Sequence, residues 1–193
     1  MEMNALEQFS LMSYLRADLM RARHLLYGPS QVDPGIRLWI GLLSPRFFPV
    51  ALCRLAHYFF CHKLFGVAKF ISFVNYVFFG IEIAVRCPIG PGLFFPHTQG
   101  TVIGAWSIGS NATIFQGVTL GAKELDFSYL ENSRPVICND VTIGSGAKVL
   151  GGIRINNGVR IGANAVVLQS FDCGVVAVGI PAQVAPLKGH RAS

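Results

Sequence analysis

Charged residues are scarce in this sequence of 193 residues: they make up 13% of it, whereas an ordinary soluble protein has about 25%. Hydrophobic residues make up 52%, so we expect much apolar surface to be covered by a second subunit, a membrane or both. Long hydrophobic runs are lacking too. The longest, residues 70–81, is bounded by Lys69 and Glu82 and falls short of the roughly 18 apolar residues of a membrane-spanning helix. Glu2 and Glu7 stand where a secretory signal has basic residues, so no signal is expected.

Cysteine and metal-binding motifs are missing as well. The five cysteines show no CxxC spacing, and their odd number predicts buried, reduced thiols in a cytoplasmic protein rather than a disulfide framework. No histidines have metal-ligand spacing, so we expect no catalytic metal. The net charge is +6, but the basic residues are scattered and no nucleic-acid-binding motif is present. A cofactor with several phosphates, or an anionic membrane surface, explains the excess charge instead.

A period of six residues is the strongest positive feature of the chain. From Ile137 to Val167 an aliphatic residue occupies every sixth position, and another small or apolar side chain follows each of them four residues later. The first series is Ile137, Ile143, Val149, Ile155, Ile161 and Val167, and the second is Val141, Ala147, Ile153, Val159, Ala165 and Phe171. A period of six fits neither a helix nor a single strand. It predicts a parallel β-helix whose short strands stack on one another.

The same period extends upstream, with two interruptions. It runs through Ile83, Ile89 and Phe95, and then through Val102, Ile108, Ile114 and Leu120. Seven residues rather than six separate Phe95 from Val102, and 17 separate Leu120 from Ile137, which predicts a loop at residues 122–135. Solenoids tolerate insertions where these leave the stack, usually on the binding face. Both interruptions are therefore candidate functional sites.

Three regions follow from this pattern. Residues 1–80 form a predicted helical region, which contains a polar helix over residues 5–26 and an apolar pair of helices over residues 46–80 with nine phenylalanines. Residues 81–185 form the predicted β-helix, and residues 186–193 form a tail.

The apolar helix pair has two interpretations. In the first it packs on the coil and at a subunit interface. In the second its phenylalanine-rich face contacts a membrane, with Arg54, Lys63 and Lys69 directed toward lipid headgroups. The expected location is the cytoplasm or the inner face of the membrane.

His97 is the leading catalytic candidate because it lies in the first interruption. Glu82 precedes it by 15 residues, about one turn of a three-sided coil of roughly 18 residues. A carboxylate bonded to one imidazole nitrogen leaves the other nitrogen free to act as a base on a hydroxyl. Alternatively, His97 only caps a turn and Glu82 pairs with Arg86.

The second interruption offers further candidates. Arg134 ends the loop beside the coil, where it can bind an anionic or polar ligand. Asp126 and Glu131 either touch a substrate or, as we prefer, are solvated charges of the loop.

Six segments of the chain form a recognisable series of motifs. They are Gly80-Ile81-Glu82-Ile83, Ile89-Gly90-Pro91-Gly92-Leu93, Pro96-His97-Thr98-Gln99-Gly100, Gln116-Gly117-Val118-Thr119-Leu120-Gly121, the run from Gly144 to Gly151, and Val178-Gly179-Ile180-Pro181-Ala182. In this order they resemble the serine acetyltransferase family of hexapeptide-repeat acyltransferases. The resemblance covers roughly residues 46–185. It implies a left-handed parallel β-helix, a homotrimer, and acetyl-CoA bound along the coil between subunits. It also implies that His97 is the general base and that Glu82, where the family usually has Asp, orients it.

A set of binding residues completes the expected site. The acceptor is expected to contact Arg134 and Gln99. Acetyl-CoA is expected to contact Gly121, Ala122, Gly146, Ala147, Lys148 and Ala165, with its pantetheine arm along Gly146, Ala147 and Ala165. Backbone N–H groups near Gly121 are expected to stabilise the oxyanion, and the candidates for the phosphates are Lys148, Arg160 and Lys188.

Two departures from the family concern the acceptor. Serine-specific members have an acidic residue before the catalytic histidine, where this chain has Pro96. They have Arg-His-Pro in the loop, where this chain has Ser133-Arg134-Pro135. The N-terminal region is more similar to short relatives linked to surface-polysaccharide synthesis. The favoured reading is therefore an acetyl-CoA-dependent O-acetyltransferase acting on a sugar or glycan precursor. The alternatives are a serine O-acetyltransferase and a non-catalytic structural or binding trimer, and the pairing of trimers into hexamers stays open.

Overall fold

The computed structural model describes residues 10–28 and 44–186. Within these two ranges three helices precede the coil: α1 (Leu11–Tyr27), α2 (Phe48–Cys61) and α3 (Phe65–Phe79). The two helices predicted within residues 46–80 are confirmed. The first five residues of the predicted polar helix, the connector from Pro29 onward, and the tail with Lys188 and His190 lie outside the described residues.

The strands are short and follow the predicted period. They are β1 (Ile81–Ile83), β2 (Thr101–Ile103), β3 (Ser107–Ile108), β4 (Thr113–Ile114), β5 (Thr119–Gly121), β6 (Val136–Ile137), β7 (Thr142–Ile143), β8 (Lys148–Leu150), β9 (Arg154–Ile155), β10 (Arg160–Ile161), β11 (Val166–Val167), β12 (Val176–Gly179) and β13 (Ala182–Val184). A short 3-10 helix, Glu131–Ser133, lies in the long loop.

The strands stack into three sheets, which form the three sides of a left-handed parallel β-helix. Their orders are β1-β2-β5-β8-β11, β13-β12-β10-β7-β4 and β3-β6-β9. Thr142 pairs in parallel with Arg160, 18 residues later, whereas Thr119 pairs with Lys148, 29 residues later. The additional 11 residues form the predicted loop. Only the last pair, β12 with β13, is antiparallel among the described strands.

The interior of the coil is built from the two predicted series of apolar residues. Every member of both series is buried except Ile153, which is partly exposed. Each strand is only two to four residues long, and the same two positions of each hexapeptide point inward on all three sides. Stacked aliphatic side chains fill the interior, and burial of this surface is the main stabilising contribution to the coil.

The assignment of Val102 to the interior is wrong. Val102 is 38% exposed, whereas Ile103 is 1% exposed and occupies the inward position. The turn after Phe95 adds two residues rather than one, and the next corner is one residue shorter, so the period returns to register at Ile108. Successive strand residues face opposite sides, so an error of one residue exchanges inside and outside.

A buried ion pair fixes the helices to the first turn of the coil. Arg54 Nε lies 2.8 Å from Asp18 Oδ2, and both side chains are inaccessible to solvent. Asp18 also accepts hydrogen bonds from the backbone N–H groups of residues 92 and 93, at 2.7 and 2.8 Å. Arg54 donates to the carbonyls of residues 89 and 90. Arg54 therefore cannot point toward lipid headgroups, as one interpretation of the helix pair required.

Candidate active site

The turn that carries His97 is attached to the end of α3. Thr98 Oγ1 donates a hydrogen bond to the Phe79 carbonyl at 2.7 Å, and Gly100 N–H donates to the Gly80 carbonyl at 2.9 Å. The carbonyls at a helix C-terminus have no partner within the helix, so they are available to hold a neighbouring turn. Thr98 is buried by this contact, whereas the imidazole of His97 is exposed. The first interruption therefore presents His97 to solvent from a turn fixed at two points.

Glu82 lies on the preceding coil, in β1, which pairs with the strand β2 that follows the turn of His97. It is the middle residue of β1, exposed between buried Ile81 and Ile83, and it pairs with Val102. Within the described residues, no hydrogen bond or ion pair joins Glu82 to His97 or to Arg86. The structure thus places Glu82 and His97 on successive coils, and the contact between them stays a prediction.

Below His97, the corners of successive coils form a stack of small residues. Gly117 N–H donates to the Gln99 carbonyl at 3.0 Å, and Gly146 N–H donates to the Gln116 carbonyl at 2.8 Å. Gly146 has φ +72°, and a Cβ on it would lie 2.1 Å from Asn164 Oδ1, so only glycine fits there. Gln99 and Gly146 therefore share one corner with His97.

Lys148 lies at the same corner but is engaged. Its Nζ donates to the Gly117 carbonyl at 2.5 Å, which leaves only part of its donor capacity for a phosphate. Arg160, a second phosphate candidate, is exposed on β10.

Two predicted cofactor contacts need correction. Ala147 is 0% exposed and Ala165 is 1% exposed. Both belong to the second inward series, so their methyl groups lie inside the coil, where a pantetheine arm cannot touch them. Contact at these positions is limited to backbone atoms.

Gly121 and Ala122 lie at the opposite end of the same sheet from His97. Gly121 ends β5, and Leu120 pairs with Ile103 at the end of β2, whereas His97 precedes the start of β2. At about 3.3 Å per strand residue, the two corners are on the order of 10 Å apart. Within a single chain the predicted site residues therefore lie at two different corners of the coil. His97 lies at one corner, and Gly121, Ala122 and Arg134 lie at the other.

Arg134 holds the long loop against the coil. Its Nε donates to Asp126 Oδ2 at 2.8 Å, and its Nη1 donates to the Gly104 carbonyl at 2.8 Å. Its guanidinium lies 4.0 Å from the centre of the Tyr129 ring, and the Tyr129 hydroxyl donates to the Ala105 carbonyl at 2.6 Å. Loop anchoring is thus the observed role of Arg134, and binding of the acceptor by Arg134 stays a prediction.

The preference for Asp126 as a solvated charge is wrong. Although desolvation acts to raise the pKa of Asp126, the Leu130 N–H and the Arg134 guanidinium outweigh it and hold this pKa below its ordinary value. Glu131, by contrast, is exposed at the start of the 3-10 helix, as expected.

A cleft of about 480 Å³ opens beside the loop. The aliphatic part of the Lys123 side chain packs over Gly151. The Asn132 carbonyl oxygen approaches Gly152 so closely that a Cβ on Gly152 would lie only 1.9 Å from it. Ser133 and Phe127 complete part of its wall. Sequence reasoning did not select Lys123, an exposed cation of this cleft, although it directly follows Gly121 and Ala122.

Burial makes three of the five cysteines poor nucleophiles. Cys53 and Cys87 are buried, and burial raises the pKa of Cys53 to about 11 and that of Cys87 as well. Cys61 has a raised pKa for the same reason, whereas Cys173 is exposed, contrary to the expectation that all the thiols are buried. Thiols with raised pKa values are protonated at neutral pH and are weak nucleophiles. Within residues 10–28 and 44–186, no group of three histidine, cysteine or acidic residues could hold a metal ion.

The chain is similar to bacterial acyltransferases of known sequence and structure. Residues 134–169 match the family model described as bacterial transferase hexapeptide (six repeats). A serine acetyltransferase of Bacillus pumilus is 41% identical over 139 residues, which cover 72% of this chain and 63% of the relative. A serine acetyltransferase of Staphylococcus aureus is 44% identical over 138 residues, which cover 71% of this chain and 63% of the relative.

The fold is also similar to that of a serine acetyltransferase solved in complex with CoA. The identity is 30%, the TM-score is 0.76, and the match covers 93% of this chain and 71% of that one. The chain thus spans 63% of the length of the two curated relatives, but more than two thirds of the solved structure.

Proposed function

Because the chain belongs to the serine acetyltransferase family of hexapeptide-repeat transferases, we propose that it transfers an acetyl group from acetyl-CoA to a hydroxyl. The observation that carries this proposal is the exposed imidazole of His97, presented by a turn that is fixed to α3 at Thr98 and Gly100. Such a histidine is suited to act as a base on a bound hydroxyl. The raised pKa values of the buried thiols argue for direct transfer without an acyl-enzyme.

In the proposed mechanism, the hydroxyl oxygen of the acceptor attacks the thioester carbonyl carbon of acetyl-CoA while His97 removes the hydroxyl proton. The tetrahedral intermediate carries an oxyanion, for which backbone N–H groups near Gly121 are the proposed donors. Collapse of the intermediate breaks the carbon–sulfur bond, and the departing CoA thiolate takes the proton from His97. Glu82, on the preceding coil, is proposed to orient the imidazole of His97.

We infer that the active unit is a homotrimer. In one chain the corner of His97 and the corner of Gly121, Ala122 and the long loop lie at opposite ends of a sheet. If a neighbouring subunit brings its loop corner against His97, the base and the oxyanion donors meet at one site. Acetyl-CoA would then lie between subunits along the corner stack of Gly117 and Gly146, where the two glycines have no side chains to block an extended arm.

L-Serine is the acceptor that the relatives support best, since the similar proteins named above are serine acetyltransferases. We therefore place it before the sugar acceptor that the sequence alone favoured. Its carboxylate needs a cation, and Lys123 is an exposed candidate in the loop cleft.

A sugar hydroxyl is the second candidate, and a specific observation favours it. Arg134, which stands in place of the family's second histidine, uses its donors on Asp126 and Gly104, and Pro96 replaces the acidic residue before His97. Two charged contacts for an amino acid are thus unavailable, whereas a neutral sugar does not require them.

The acceptor is tested by measuring thiol release from acetyl-CoA by the purified full-length chain. L-Serine is compared with a panel of free and nucleotide-linked sugars, and acetyl-CoA binding is measured by calorimetry. Serine-dependent release supports the first acceptor, and release only with a sugar supports the second. A chain that fails to bind acetyl-CoA contradicts the proposal and favours the non-catalytic trimer.

A further inference from the structure

The outward face of α3 is apolar and aromatic. Six large side chains on it are between 43% and 73% exposed; they are Val67, Phe70, Phe73, Tyr76, Val77 and Phe78, and we refer to them as the outer face of α3. An exposed surface of this kind is rare on a protein that stays monomeric in water. The outer face of α3 therefore needs a covering partner.

The polar side of α3 faces the protein. Ala68 and Asn75 are buried, Asn75 Nδ2 donates to the Pro49 carbonyl at 3.0 Å, and Ser72 Oγ donates to the Ile83 carbonyl at 3.3 Å. These hydrogen bonds fix the rotation of α3 about its axis. The outer face of α3 is therefore held toward solvent by the contacts on the opposite side of the helix.

The charged residues within the helix pair itself have one sign. No Asp or Glu occurs from residue 34 to residue 81, while Arg46, Lys63 and Lys69 are exposed around the helix pair. A second copy docked face to face would bring these cations together without carboxylates to pair with them. An anionic bilayer has the complementary charge, and its interior accepts aromatic side chains.

We propose that the outer face of α3 docks on the surface of an anionic membrane. The 15 residues of α3 span about 22 Å at 1.5 Å per residue, and the helix lies in the plane of the surface with its phenylalanines below the headgroups. Lys63 and Lys69 contact lipid phosphates. Among the described residues no helix is long and apolar enough to cross the bilayer, so the attachment is peripheral.

This docking places the candidate active site next to the membrane. The turn of His97 is bonded directly to the last residue of α3 and to Gly80. A lipid-linked acceptor would therefore reach His97 without leaving the surface. This consequence rests on the proposed function, whereas the docking itself does not.

The test is cosedimentation of the full chain with phosphatidylglycerol–phosphatidylcholine vesicles and with pure phosphatidylcholine vesicles. The double variant Phe70→Ser/Phe73→Ser removes two exposed aromatic rings, and Lys63→Glu/Lys69→Glu reverses the charge. Ile180→Ser/Val184→Ser, which removes two exposed apolar side chains at the far end of the coil, is the matched control. Circular dichroism confirms that each variant folds. No acetyl-CoA is present, so the outcome is independent of the proposed function.

We expect the unchanged chain and the control variant to bind the anionic vesicles, and each α3 variant to bind them at least tenfold more weakly. Equal binding to both kinds of vesicle would overturn the role of charge. Absence of binding, together with a smaller oligomer for Phe70→Ser/Phe73→Ser by analytical ultracentrifugation, would show that a second copy covers this face. Absence of binding with an unchanged oligomer would also overturn the proposal.

Discussion

Thr98 shows how a single residue determines the presentation of the candidate base. Its hydroxyl is bonded to the end of α3, and the adjacent His97 has no partner of its own among the described residues. We expect Thr98→Val to lower kcat by about tenfold to a hundredfold, since small displacements of a catalytic group have effects of this size, while the KM for acetyl-CoA stays unchanged.

Thr98→Ser, which keeps the hydroxyl, should restore most of the activity of Thr98→Val. The comparison is made by steady-state thiol release, with circular dichroism as the check on folding. An equal loss for valine and serine, or a change confined to KM, would argue against a positioning role for Thr98.

The residue scale is where prediction from sequence was least complete. The interruption of the period directed attention to His97, which the structure shows to be exposed, and its role as the base stays a prediction. Ala147 and Ala165 were misassigned although their spacing already placed them with inward Val141 and Val159. Thr98 was not found, because its partner is a helix carbonyl that only the tertiary structure brings near.

At the scale of elements, the long loop is ordered by the Asp126–Arg134 ion pair and is joined to the coil by hydrogen bonds from Arg134 and Tyr129. Asp126→Asn weakens the attachment of Arg134 and exposes the loop, so trypsin should cleave after Lys123 several-fold faster than in the unchanged chain. Glu131→Gln, on the exposed side of the same loop, is the matched control and should leave the rate unchanged. Equal rates for the two variants would show that Asp126 does not order the loop.

The attachment of α1 and α2 to the coil gives a prediction for stability. Asp18→Ala leaves the buried guanidinium of Arg54 without its anion, and loss of one partner of such a pair costs on the order of 3–5 kcal/mol. Urea unfolding measures the change in the free energy of unfolding. Asp172→Ala, at an exposed position, serves as the control. An equal, small effect of both substitutions would contradict the importance of the buried Asp18–Arg54 ion pair.

The elements themselves follow from short-range patterns in the chain. The two helices of residues 46–80 and the stacked strands are encoded by spacing, so both were predictable. The Asp18–Arg54 pair was not, because 36 residues separate its partners and only the docking of α1 and α2 brings them together. For the same reason, Arg54 was assigned to the surface by one interpretation.

For the whole molecule, the period of six residues determined the fold, while the site depends on assembly. The residues predicted to act together lie at two corners of one chain, and a sequence pattern contains no information about which copy supplies each corner. We expect sedimentation equilibrium to give three times the chain mass of 21.0 kDa. A monomer at micromolar concentration would contradict the shared site.

The most direct test of the account is acetyl transfer by His97→Ala in the presence of the acceptor identified for the unchanged chain. We predict that kcat falls at least about a hundredfold, while acetyl-CoA binding, circular dichroism and the oligomeric state stay unchanged. Near-normal turnover by the folded variant would show that His97 is not the base and would remove the central claim.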